Sequence, residues 1–107
     1  MAPYGGMRWT SAGVPIARLW GELDVANAPV VFAAISKAVG GAEVIVDFTE
    51  VTFIDSSVLA ELLVLAGVAT VRIVAPPGRQ PRRVLDVTRL VDTLWSFDSV
   101  DAALEAG

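Results

Sequence analysis

The sequence contains no histidine and no cysteine in 107 residues. Without histidine there is no imidazole acid/base, no Ser-His-Asp triad and no His-ligated metal site. Without cysteine, thiolate catalysis, Cys-type zinc sites and a disulfide framework are excluded as well. A chain without disulfides suits a reducing compartment, and a cytoplasmic location is expected. Basic residues are few: 8 Lys and Arg against 12 Asp and Glu leave a net charge of −4. With no basic excess to neutralise phosphates, direct nucleic-acid binding is not expected. Long apolar runs are also missing. The longest uncharged apolar stretch near the middle, residues 62–71, is about half of the roughly 20 residues that a membrane span needs. The opening MAPYGGMRWTS has no charged start followed by an apolar segment, so no secretory signal is expected. No phosphate-binding glycine loop or dinucleotide fingerprint occurs. Catalytic residues, metal ligands and cofactors are therefore all expected to be none.

Apolar residues, by contrast, are abundant. They make up 54% of the chain, and about 62% with the nine glycines counted, against a usual 45–50%. That supplies an ample core for one domain and leaves apolar surface for a partner or a lipid.

Turn residues divide the chain into alternating strands and helices. Residues 7–10 and 16–20 read as strands around the Gly13-Val14-Pro15 turn, and Gly21-Glu22-Leu23-Asp24 as a loop. Asn27 suits an N-cap and Pro29 a first helical turn. Val31, Ala34, Ile35 and Ala38 then recur at helical spacing until Gly40-Gly41 stops the helix. The continuous run at residues 44–48 predicts a central strand covered on both faces, followed by a short crossing over residues 49–54. A strongly apolar helix is expected over 58–66, a strand over 71–74, and a third helix over about 81–94 with Val84, Val87, Val91 and Leu94 on one face. Trp95-Ser96-Phe97 reads as a last strand, and Asp98-Ser99-Val100-Asp101 as the cap of a C-terminal helix. Strand–helix alternation of this kind specifies an α/β class, with helices packed on an open sheet.

The most informative segment is Phe53-Ile54-Asp55-Ser56-Ser57-Val58-Leu59. It places a small hydroxyl residue at a helix start, where amides are unpaired and the helix dipole is positive. A phosphoryl group on Ser56 would be at home there. The simpler alternative is that Asp55 or Ser56 does no more than cap the helix. The helix that follows carries Val58, Leu59, Leu62, Leu63, Val64 and Leu65, with Glu61 its only charge. It is either wholly core or presents an apolar face beside Ser56. Arg79, Arg82 and Arg83 form a basic cluster that reads as a solvated turn rather than a phosphate patch, and Trp9, Trp20 and Trp95 as core or sheet-edge residues.

Several segments together resemble the STAS domain, in particular the stand-alone bacterial anti-sigma factor antagonists. The matching pieces are Gly21-Glu22-Leu23-Asp24, Asn27, the run at residues 44–47 ending in Asp47, and Phe53-Ile54-Asp55-Ser56-Ser57. Val84-Leu85-Asp86-Val87-Thr88-Arg89-Leu90 is similar to the family's third helix, which often reads R-x-L-x-x-x-G-L. The likeness spans roughly residues 8–104 of a single domain covering 1–107. It implies a mixed β-sheet of four to five strands with about four helices packed against it.

The resemblance also implies a function. The unphosphorylated antagonist binds an anti-sigma factor serine kinase and so frees a sigma factor. Phosphorylation of the serine after the Asp, here Ser56, releases it and resets the switch, and a phosphatase is expected as a further partner. Asp24, Asp47 and Asp55 are expected around that serine at one end of the sheet, with Asp55 or Asp24 orienting the hydroxyl. Ser57, Val58, Leu59 and Leu62 are expected beside it on the partner-binding surface. The domain itself would be no enzyme, and a monomer or weak dimer. Where the family commonly has glycines, this chain has Val58 and Ala60, which favour helix but add bulk where a kinase backbone would approach. The family also includes accessory subunits of ABC-type lipid transport systems, which dock on an ATPase; that is the alternative function.

Overall fold

In the computed structural model, which describes residues 5–107, the chain folds as an opening hairpin followed by alternating helices and strands. Residues 1–4 of the expected domain span lie outside the described residues. The hairpin is β1 (Gly6–Ser11) and β2 (Pro15–Leu23). There follow α1 (Ala28–Val39), β3 (Glu43–Ile54), α2 (Ser56–Ala66) and β4 (Thr70–Val74). The chain continues through α3 (Gln80–Val87), α4 (Leu90–Thr93), β5 (Trp95–Phe97) and α5 (Val100–Glu105). The result is the expected α/β domain, with a five-stranded mixed sheet in the order β1-β2-β3-β4-β5. Only the β1–β2 pair is antiparallel; β2, β3, β4 and β5 run parallel.

That strand order decides where the helices go. Parallel strands added in sequence by right-handed crossovers place every crossover helix on the same face. The side chains agree. Ala17 and Leu19 of β2, and Val44, Val46 and Phe48 of β3, face the main core with Phe32, Ile35, Val58, Leu62 and Leu85 from α1, α2 and α3. Alternate residues face the other way: Ile16, Ile45 and Val74 meet Ala103, Val100 and Leu104 of α5. Because α5 follows β5 and joins no two parallel strands of this sheet, it is not bound by the crossover rule and covers the second face.

Five expectations are corrected. Residues 49–54 are no crossing. They continue β3 to Ile54, and Gly21-Glu22-Leu23 is strand rather than loop, paired alongside. The β2–β3 register shifts twice, each time with an extra residue in β3, and Gly21 takes φ 75°. Such bulges break the two-residue alternation that marks a strand. In α1 the buried stripe is Ala28, Phe32, Ile35 and Val39, while Ala34 and Ala38 are exposed; turning Phe32 and Val39 inward removes more apolar area from water. Asn27 stands at the N-cap position but makes no capping bond. The third helix is two helices, broken where Arg89 adopts a left-handed φ of 63°. The break turns Leu85 and Leu94 into the core and leaves Val87 82% exposed. It also raises the helix count from about four to five. Trp9 and Trp95 lie on the two edge strands, both partly exposed.

Candidate functional site

The site forms at the carboxyl end of β3, where the chain turns into α2. Asp55 is extended, with φ −116° and ψ −174°, and caps the helix. One carboxylate oxygen, Oδ1, accepts a hydrogen bond from the Ser57 amide at 2.9 Å and another from the Ser57 hydroxyl. Oδ2 accepts from the Val25 amide at 3.2 Å. Asp55 thus ties α2 to the β2–α1 loop. The Ser57 hydroxyl, followed by the Ser57, Val25 and Val58 amides, holds its carboxyl below the ordinary carboxylate value against the opposing effect of burial. Of the two capping candidates, then, Asp55 is the cap. Ser56 is left as the first residue of α2, exposed.

The β2–α1 loop is held by its own polar groups. Asp24 Oδ1 accepts from the Ala26 amide at 2.9 Å, a local turn of the kind Asp favours. Asn27 Oδ1 accepts from the Asp24 amide, and Asn27 Nδ2 donates to the Glu22 carbonyl, both at 2.9 Å. These bonds explain why Asn27 does not cap α1: its side chain is turned back into the loop. Neither Asp24 nor Asp55 has an ion-pair partner among the described residues.

Asp24, Asp55, Ser56 and Ser57 are therefore brought together around Val25. Asp47 is not. It lies within β3 opposite Arg18, which is five residues of β2, or roughly 16 Å of strand, before the Leu23–Ile54 pair that ends the ladder. Its side chain is 2% exposed. It accepts from Arg18 at 3.3 Å and from the Thr49 amide and hydroxyl. This is a buried structural pairing near the β3 bulge.

Val58 and Leu62 also leave the expected surface, since both are fully buried core residues. Leu59 is half-buried against that core. With α2 starting at Ser56, the outward stripe is Ser56, Ala60, Leu63 and Val64, and Leu63 and Val64 are 47% and 67% exposed. Val25 and Phe53 add exposed apolar surface near the cap. A shallow groove of about 220 Å³ runs between α1 and α2, lined by Phe32, Ala33, Ser36, Glu61, Val64 and Leu65. Gln80 is a residue of this region that no local sequence signal marks. Its side-chain amide accepts from the Ile54 amide and donates to the Ile54 carbonyl, each at 2.9 Å.

Chemically, the arrangement offers a solvent-facing hydroxyl at a helix N-terminus, beside two carboxylates and an apolar helix face. Asp55 is a poor general base, because its oxygens are occupied and its proton affinity is lowered. No group of acidic residues among the described residues is arranged to hold a metal ion. Among the described residues, no helix is long and apolar enough to cross a membrane.

A comparison with curated proteins found no match. Among solved structures, an anti-sigma factor antagonist from Mycobacterium paratuberculosis is similar, with a TM-score of 0.86 at 24% identity, over 96% of this chain and 93% of that one. The unphosphorylated anti-sigma factor antagonist SpoIIAA has a TM-score of 0.71 at 22% identity, over 94% of this chain and 95% of its own. The phosphorylated form of the Bacillus cell fate determinant SpoIIAA has a TM-score of 0.61 at 22% identity, over 94% and 98%. At these identities the likeness is one of fold. The sequence itself matches the STAS domain over residues 10–103, nearly its whole length, and the chain belongs to the STAS domain family.

Proposed function

We propose that this protein is a cytoplasmic anti-sigma factor antagonist that binds an anti-sigma factor kinase and is released when that kinase phosphorylates Ser56. The observation that carries this reading is the exposed Ser56 at the head of an α2 face bearing Leu63 and Val64. The similar folds of anti-sigma factor antagonists support it.

In the transfer, Ser56 Oγ attacks the γ-phosphorus of ATP bound by the kinase. The new O–P bond forms as the bond to ADP breaks, and the hydroxyl proton passes to a base. That base belongs to the kinase, because the Asp55 and Asp24 carboxylates already accept local amides. The phosphate adds about −1.5 to −2 charges and rests at the positive end of α2, so the helix survives. Beside Asp24 and Asp55 it turns a hydroxyl contact into an anionic cluster. Like-charge contact at an interface costs several kcal/mol, and each 1.4 kcal/mol or so is tenfold in affinity. One phosphate thereby switches binding over about two to three decades without refolding the domain.

Incubation with the cognate anti-sigma factor and ATP is expected to add the mass of one phosphoryl group, and Ser56→Ala to abolish the addition. Modification elsewhere, or a membrane-associated ATPase as the bound partner in place of a kinase, would overturn the reading.

A further inference from the structure

The far half of β3 has a strand on one side only. Its partner β4 ends at Val74, opposite Asp47, so the residues up to Ile54 are paired by β2 alone. An unpaired strand edge is free to fray, and this one leads directly into Asp55 and Ser56. At its last residue the gap is closed by a side chain. The Gln80 amide makes the donor and the acceptor contact that a neighbouring strand would make, both 2.9 Å long and both on Ile54. With Leu23 opposite it across the β2–β3 pair, Ile54 is held from two sides. Gln80 is itself placed by α3: it opens that helix just after the extended residue Arg79, and is followed by buried Pro81 in the first turn, where a missing N–H is tolerated.

We propose that Gln80 is a positioning residue for the phosphorylation site. Its side-chain hydrogen bonds go to Ile54 and to neither Ser56 nor Asp55. By clamping the Ile54 backbone it fixes where β3 ends, hence how the Asp55 cap meets the Val25 amide and at what angle Ser56 is offered. The proposal rests on the reading of Ser56 as the acceptor, but the clamp has its own physical signature. A primary amide of this length is needed. Leucine has the bulk without the polar atoms, and asparagine has the polar atoms one methylene short.

The test combines two measurements on the full chain. Amide hydrogen exchange by NMR is compared at residues 54–58 for wild type, Gln80→Leu, Gln80→Asn and Val100→Ala, the last destabilising the domain from the opposite face of the sheet. Both Gln80 variants are expected to speed exchange there at least about tenfold, and Val100→Ala to leave it close to wild type. Steady-state phosphorylation by the anti-sigma factor kinase is then expected to show kcat reduced about tenfold in both Gln80 variants, with KM little changed because the outer face of α2 is intact. Unchanged exchange at residues 54–58, or exchange raised equally by Val100→Ala, overturns the clamp. If exchange rises but kcat holds, the positioning role is overturned. A wild-type chain that takes no phosphate at Ser56 defeats the functional reading instead, and the exchange data still decide whether Gln80 holds Ile54.

Discussion

Five polar residues read together in the sequence divide into four different roles. Ser56 is presented, Ser57 and Asp55 bind each other, Asp24 closes its own turn, and Asp47 is buried under Arg18 and Thr49. Residue type alone does not separate these roles, because an aspartate is equally suited to cap, turn or pair. Among the five, Asp55 links the β2–α1 loop to the start of α2, and it carries a pH signature. Its folded-state carboxyl loses its proton more readily than the ordinary value of 3.8. The charged form therefore adds stability that is present above pH 3.8 and withdrawn as the pH falls through the lower folded-state value. Asparagine caps nearly as well but does not titrate. Asp55→Asn is thus expected to lie within about 1 kcal/mol of wild type at pH 7 and to lose less stability in acid. Urea denaturation between pH 2 and 6 measures this, and superimposed acid limbs for the two proteins would rule it out.

Among the elements, α2 shows how one apolar helix serves two purposes. Val58, Leu62 and Leu65 face the sheet, and Leu63 and Val64 face solvent. Adjacent leucines should therefore answer to different assays. Leu62→Ala opens a cavity and is expected to cost about 2–5 kcal/mol of stability. Leu63→Ser is expected to change stability by less than about 0.5 kcal/mol, while weakening the anti-sigma factor complex at least about tenfold, a loss typical of a central apolar contact. Thermal melts and titration calorimetry on the pair separate core from interface; equal effects on both would dissolve the distinction. The same logic places Val58: fully buried, it adds its bulk to the core rather than to the outer surface. Under the proposed function, Ala60 on the outer stripe is the added methyl that a kinase would meet.

Across the whole molecule the two faces of the sheet are unequal. The main face carries α1, α2 and α3, whereas the second is covered by α5, a helix of six residues. α5 is capped by Ser99, whose hydroxyl accepts from the Ala102 amide at 3.1 Å. It is also tied to β4 by Arg72, which donates to the Ala103 carbonyl at 3.2 Å, pairs with Glu43 at 2.8 Å and stacks on Trp95. Short helices with few buried contacts open locally before the domain unfolds. The α5 amides are accordingly expected to be at least about a hundredfold less protected in hydrogen exchange than those of central β3. Equal protection would mean instead that both faces unfold as one unit. Opening of α5 lies on the face away from α2, so it leaves the exposed Leu63 and Val64 in place.

The amino-acid sequence determined the class of fold and the place of Ser56 at the start of α2. Apolar runs of strand length alternated with helical spacing and capping residues, and those are local signals. The Asp-Ser-Ser start of α2 was likewise readable, since caps act within three or four residues of chain. Tertiary structure decided the rest. Which side of α1 and α2 turns inward depends on the sheet beneath them, so Phe32 and Val39 displaced Ala34 and Ala38. The far half of β3 was hidden because its bulges interrupt the alternation, and the break at Arg89 because nothing local favours a left-handed arginine. Asp47 parted from Ser56, and Gln80 reached Ile54, through contacts between residues 29 and 26 positions apart in the chain. Such pairings are set by how the strands register against each other, and short-range sequence signals do not encode that register.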